Sequence, residues 1–162
     1  MKKLNFGCGN DIKEGWDNVD MQEGLGVLSF NFNEFPYPLK NDEYNFILIK
    51  HVLNFVDEAD KCLYELWNKC KPDAIIEIIL PYYNNKGAYN DIQAKHYFSD
   101  STFKIFIVQP CKINKQKKFE IENLKLIPSA PGKLIPRVMR ERLSLFIGGL
   151  ISEIYIKLRV IK

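Results

Sequence analysis

The chain has 162 residues, 46% of them apolar and 27% charged, which is enough apolar material for one ordered domain with one core and excludes a disordered segment. Its four cysteines (Cys8, Cys62, Cys70, Cys111) form no CxxC pair and neither histidine sits at zinc-ligand spacing, which excludes an evident metal site or disulfide framework and fits a reducing cytoplasm. The net charge of +3 conceals an asymmetry, since residues 1–60 carry 5 Lys/Arg against 11 Asp/Glu and residues 61–162 carry 18 against 9.

In chain order, Lys3–Phe6 reads as a short strand that stops at Gly7-Cys8-Gly9, and Asn18–Asp20 reads as the end of a second. Val27–Phe32 is a third extended piece, broken by Pro36 and Pro38. Tyr44–Ile49 is nearly continuous in apolar side chains, as in a strand buried on both faces. Asp57–Lys71 carries the helical period (Ala59, Leu63, Leu66, Cys70), with Pro72 as its stop. Ala74–Leu80 is the strongest strand signal. Residues 1–81 therefore predict a parallel sheet. Beyond Pro81 come a polar loop over Tyr82–Ala94, a helix from Ser99 through Val108 and strands at Lys118–Glu122 and Leu124–Ile127. A helix over Arg137–Ile151 and a terminal strand at Ile154–Ile161 follow. The lysines at 112–118 suggest a loop tip. The fold expected is α/β, a mostly parallel sheet with helices on both faces and a C-terminal antiparallel pair. One domain spans 1–162, with a ligand-binding half (1–81) and a substrate-side half (82–162).

In open α/β sheets, ligands bind beyond the C-terminal ends of the strands, where strand order reverses. Four segments end in residues suited to that place. Gly7 and Gly9 allow a tight turn and close backbone approach. Asp20 can accept the hydroxyls of a ribose. Asn31 and Phe32 offer an amide edge and an apolar face for an adenine, and His51 closes the buried run. Each has a plainer reading as a strand-end or turn residue; the order of all four is the signal. A dinucleotide-type GxGxxG is not present, because Gly7 and Gly9 are followed by Ile12.

Leu4-Asn5-Phe6-Gly7-Cys8-Gly9-Asn10 followed by Gly15-Trp16-Asp17-Asn18-Val19-Asp20 resembles the opening of class I S-adenosylmethionine-dependent methyltransferases. The likeness is to a small subgroup known as predicted methyltransferases. Asn31–Pro38, His51–Val56, Cys70–Ala74, Lys95–Ser99 and the final Leu158–Lys162 also resemble that subgroup's segments. The resemblance implies a Rossmann-like fold and S-adenosylmethionine as cofactor, lined by Phe6, Gly7, Cys8, Gly9, Asp20, Met21, Asn31, Phe32 and His51. Two departures stand out: Asn31 replaces the subgroup's acid near the adenine, and Asn54-Phe55 replaces its Glu-His pair.

Methyl transfer needs alignment of nucleophile and methyl, and a base only when the nucleophile starts protonated. His51 and His96 are the catalytic candidates, each with a structural alternative: His51 as a strand-end hydrogen-bond partner, His96 as a cap or loop packer. Tyr82 and Tyr83 read as pocket lining, under a loop (82–96) long enough to act as a substrate lid. The implied partner is a small-molecule or saccharide/lipid acceptor. The alternative is a methyltransferase-like fold that binds a partner without catalysis. The basic second half suits an anionic acceptor or a solvated surface; no nucleic-acid module is evident and no apolar run reaches the roughly 20 residues of a membrane span. Arg137, Arg140 and Arg142 before Leu143–Ile151 leave a peripheral membrane contact open, beside a core or homodimer contact.

Overall fold

The computed structural model describes residues 1–108 and 118–162; the expected lysine tip and Cys111 lie outside the described residues. Among the described residues, seven strands form one sheet: β1 (Lys3–Phe6), β2 (Asp17–Asp20), β3 (Val27–Ser29), β4 (Tyr44–Lys50), β5 (Cys70–Pro81), β6 (Lys118–Pro128) and β7 (Ile151–Ile161). Their order is β3-β2-β1-β4-β5-β7-β6. All neighbours are parallel except those of β7, which runs antiparallel to both β5 and β6. This is the expected α/β sheet with an antiparallel C-terminal pair. Strand order reverses between β1 and β4, so a crevice opens beyond the C-terminal ends of these two strands.

Alternation in the strands builds one dry layer. Leu4 and Phe6, Ile47 and Ile49, Ile76 and Ile78, and Ile156 and Leu158 stand in register on one side and are fully buried. Each such side chain contributes about 1.5–3 kcal/mol by leaving water. The helices α1 (Ala59–Lys69) and α2 (Asp100–Val108) cover this layer together; Tyr64 of α1 and Phe106 of α2 meet at 5.3 Å, and both rings touch Phe119. Where helices on both faces were expected, the two packed helices share one. Over β1 and β2 the other face is closed by the 7–16 loop, which is too short for a helix. Its scaffold is a buried Asn pair: Asn5 donates to Asn18 (3.0 Å) and to the Asp11 carbonyl (2.7 Å), while Asn18 bridges to the Lys13 and Trp16 backbone.

Three boundaries differ from expectation for local reasons. α1 stops at Lys69 and β5 already begins at Cys70, so Pro72 sits inside a strand start; the register jumps there between Tyr44 and Phe46, and Asp73 has φ +59°. Lys118–Pro128 is one strand carrying a shift between Ile121 and Asn123, where two were expected. α3 covers only Arg137–Leu143 and buries no residue, so no packing extends it toward 151. Asn84, from a distant loop, instead binds the Ser144 carbonyl and accepts from Gly149 N–H (2.8 Å).

Candidate active site

The first strand turns sharply beneath Val52. Gly7 has φ +72°, and a Cβ there would stand 2.1 Å from a Val52 methyl, so only glycine fits. The Gly7 and Cys8 N–H groups both donate to the Val19 carbonyl (2.9 and 3.0 Å), which pins the turn to β2. Gly9 has φ +49°, and a Cβ there would meet nothing within 4 Å: the space above it is open. Asp20, at the end of β2, accepts from Gly9 N–H (2.7 Å) through one oxygen and from Gln22 N–H (3.0 Å) through the other. A carboxylate has about four acceptor positions, so roughly two remain for a ligand's hydroxyls.

Above this lip lies an open cleft of about 620 Å³, within the range of small-ligand sites. Gly7, Cys8, Gly9, Asp20, Met21, Phe32 and His51 line it together, as do Val52, Phe55 and Val56. A second hollow of about 300 Å³ shares Gly9, Asp20 and Gln22 and continues toward Ile12 and Leu25. Cys8 is buried, and its thiol is held above the usual range, first by loss of solvation and then by the Asp20 charge. It stays neutral and is no nucleophile near neutral pH.

Two residues of the expected lining lie elsewhere. Phe6 is fully buried and stacks behind Phe32, with ring centroids 4.0 Å apart. Asn31 is exposed and occupied by a turn: its amide donates to Glu34 (2.9 Å) and its oxygen accepts from Asn33 N–H (3.0 Å).

The two histidines have different surroundings. His51 follows β4 with φ +55°, and its Nε2 lies 2.8 Å from Glu153 at the start of β7. With that carboxylate ionised, Nε2 carries the hydrogen and donates, which leaves Nδ1 as the ring's acceptor. His96 lies outside the cleft lining. Its Nε2 is 3.1 Å from the Asp57 carbonyl, Lys95 pairs with the Asp57 carboxylate, and the Lys95 and His96 N–H groups both donate to the Asn54 carbonyl. These bonds fasten the end of the 82–99 loop to the segment after β4. Asn54 itself is 7% exposed, and its Oδ1 has no hydrogen-bond partner among the described residues. Tyr82 is buried, with its hydroxyl pushed up to about 12, first by burial; with Tyr83, Tyr97 and Leu145 it lines a separate hollow.

No protein-family model matches the chain, and no curated protein matches it. Solved structures do. A SAM-dependent methyltransferase from Archaeoglobus fulgidus matches 98% of this chain and 86% of its own length at 18% identity, with a TM-score of 0.64. An S-adenosylmethionine-dependent methyltransferase from Mesorhizobium loti matches 98% and 90% at 11% identity, with a TM-score of 0.65. The chain has the class I methyltransferase fold. The [4+2]-cyclase SpnF is similar to the same degree, at TM-score 0.63, 10% identity and coverage of 98% and 74%. At such identities the likeness concerns the fold, and one fold carries several chemistries.

In the methyltransferase fold, a crevice at the strand switch takes a ligand outside the strand ends. The residues present fit a nucleoside-bearing cofactor: an open cradle over Gly9, a strand-end carboxylate with spare acceptor positions, and an apolar wall from Met21, Phe32, Val52 and Val56. Sequence reasoning missed Gln22, Lys50, Val52, Phe55, Val56 and Gln93 in the lining, and Glu153 as the partner of His51. Lys50 could have been found as the residue before His51. Glu153 carries no local signal; it lies 102 residues from His51 and meets it only because β7 is antiparallel.

Proposed function

We propose that this chain transfers a methyl group from S-adenosylmethionine to a small-molecule or saccharide/lipid acceptor. The observation that carries the reading is the lip at the strand switch, where Asp20 both locks the glycine turn and keeps acceptor positions facing a cleft of about 620 Å³. The cofactor, when bound, supplies an already activated methyl, so the chain's residues have only to bind, orient and accept a proton. Asp20 accepts ribose hydroxyls. Gly7 and Gly9 let the backbone approach closely, and Met21, Phe32 and Val56 exclude water. His51, oriented by Glu153, is the general base for an acceptor that begins protonated. His96 is assigned to positioning the 82–99 loop through Asp57.

Calorimetric titration with S-adenosylhomocysteine tests the cofactor part. Asp20→Ala abolishes binding, and Asp20→Asn, which keeps an oxygen for a backbone N–H, weakens it by about tenfold or more through the lost charge-assisted bonds. No heat of binding from a folded wild-type protein would sink the reading. His51→Gln, at one residue of the cleft lining, changes that binding by less than about tenfold and lowers turnover by about 10²–10⁴-fold on an acceptor that needs a base. The second reading, a methyltransferase-like binding protein, is favoured by Phe55 in the cleft lining and by Asn54, whose buried amide oxygen has no partner among the described residues. Cofactor binding without turnover across a broad acceptor screen would select it.

A further inference from the structure

Among the described residues, exposed large apolar side chains crowd together in the connection between β6 and β7, residues 129–150. Pro128 pairs with Ile151, so this connection rises from the same end of the sheet as the cofactor cleft. Leu134 (86% exposed), Val138 (66%), Met139 (57%), Leu145 (66%), Phe146 (87%) and Ile147 (51%) face water within fourteen residues. Fraying does not explain this, because the backbone is held at many points. Ser129 N–H donates to the Leu150 carbonyl (3.1 Å) and Arg140 Nη1 to the Gly132 carbonyl (3.0 Å), while Gly149 N–H donates to Asn84 (2.8 Å). An ordered platform with its apolar side chains turned outward loses solvation free energy unless something covers it.

Charge on the platform selects the cover. Lys133, Arg137, Arg140 and Arg142 face a single acid, Glu141, which is paired with Arg137 at 2.8 Å. Lys133 and Arg142 are exposed and have no ion pair among the described residues. A second copy related by two-fold symmetry would set this basic face against itself. Nucleic acid could stack a base on Phe146 but would leave the aliphatic Leu134, Val138 and Leu145 without apolar contact. A bilayer with anionic headgroups offers hydrocarbon and negative charge at once. Tyr97 borders the platform by sharing a hollow with Leu145, and it stacks on Tyr89 at 4.6 Å, with both rings about half exposed. Amphipathic rings of this kind are enriched at the headgroup level of membranes.

We propose that residues 133–147 dock the protein on an anionic lipid bilayer, with Phe146, Leu145 and Leu134 inserted and Lys133, Arg137 and Arg142 among the headgroups. The docked orientation sets the cleft-bearing end of the sheet toward the membrane, where an amphipathic acceptor would be presented. The docking itself does not rest on the methyl-transfer reading.

The test is co-sedimentation of the purified full chain with phosphatidylcholine vesicles, with and without phosphatidylglycerol, at low and high salt. Binding is expected on the anionic vesicles, weakening as salt screens the charges. Phe146→Ser weakens partitioning by about tenfold, the equivalent of one lost buried aromatic, and Arg142→Glu by about as much. Both side chains are exposed, so unchanged thermal unfolding confirms that the variants fold. Absence of binding to anionic vesicles, equal binding to both vesicle types, or binding indifferent to Phe146→Ser would each overturn the proposal. So would a wild-type dimer in solution that Phe146→Ser dissociates, because the platform's cover would then be a second copy. Vesicle binding is read without cofactor, so its failure is distinct from failure to bind S-adenosylhomocysteine.

Discussion

The glycine turn beside β2 and the platform between β6 and β7 stand at the same end of the sheet and are built in opposite ways. At the turn, Leu4, Phe6 and Val19 have no exposed surface, and residues 7–20 are tied to one another by short backbone bonds. At the platform the backbone is equally well tied, yet six large apolar side chains point to solvent and α3 buries nothing. Side chains turned inward specify a shape for one fixed ligand. Side chains turned outward leave the shape to the backbone and the affinity to whatever covers them. The first arrangement suits a small ligand of fixed shape, the second an extended surface.

Substitutions near α1 and the turn should therefore be felt in stability, and those on the platform should not. The largest effect is expected at Glu65. It pairs with Lys69 at 2.9 Å, the Lys side chain being only 4% exposed, and it also accepts from Tyr37 N–H and Asn68. Glu65→Ala removes the carboxylate and leaves that buried charge with the Asn41 side-chain oxygen (2.9 Å) as a neutral acceptor, and should lower unfolding free energy by about 3–5 kcal/mol in denaturant titration. A loss below about 1 kcal/mol would show that Asn41 and water suffice for Lys69.

Gly7→Ala comes next. The left-handed backbone costs about 1–2 kcal/mol and the contact with Val52 about 1–3 kcal/mol more, read as a fall in the unfolding midpoint. A midpoint unchanged by the substitution would mean that Val52 yields freely and the turn is not rigid.

Alkaline pH probes the same core. Burial pushes the Cys62 and Cys70 thiols up to about 12 from an ordinary 9.0. The folded state thus holds its protons longer than the unfolded chain, and the stability this provides is complete below pH 9 and lost as pH rises toward 12. The unfolding midpoint should decline over that window, and Cys62→Ala should flatten the decline while lowering the baseline. An equal slope in the variant would assign the decline to other groups, such as the buried Tyr37 and Tyr44 hydroxyls.

The smallest effect is expected on the platform, where Leu134→Ser should change unfolding free energy by no more than about 0.5 kcal/mol. A larger loss would reveal that this side chain packs in solution, and the contrast between the two regions would fail.

Much of the site half was legible in the sequence because its determinants are local. Gly7, Gly9 and Asp20 fall within fourteen residues, and their hydrogen bonds join near neighbours. Met21, Phe32 and His51 then come to the same cleft because parallel strands deliver every strand end to one side. Asn31 read as an adenine partner because its strand was expected to run through Phe32; β3 ends at Ser29, and Asn31 falls into a turn with Glu34. His96 read as a second catalytic candidate because it is one of two histidines and lies in a loop before a helix, and its bond to the Asp57 carbonyl could not be anticipated from spacing.

The sequence by itself determined the strand pattern, the parallel sheet with an antiparallel end and the glycine–acid lip, because periodicity and strand-end chemistry act over a few residues. Only the tertiary structure decided that Glu153 orients His51, that α1 and α2 share one face and that Asn84 helps hold the end of a short α3. Each of these depends on segments tens of residues apart meeting in a register that pleats and crossovers set. The outward-facing platform belongs to the same class: a short run of apolar residues reads as core until the fold shows that nothing among the described residues lies over it.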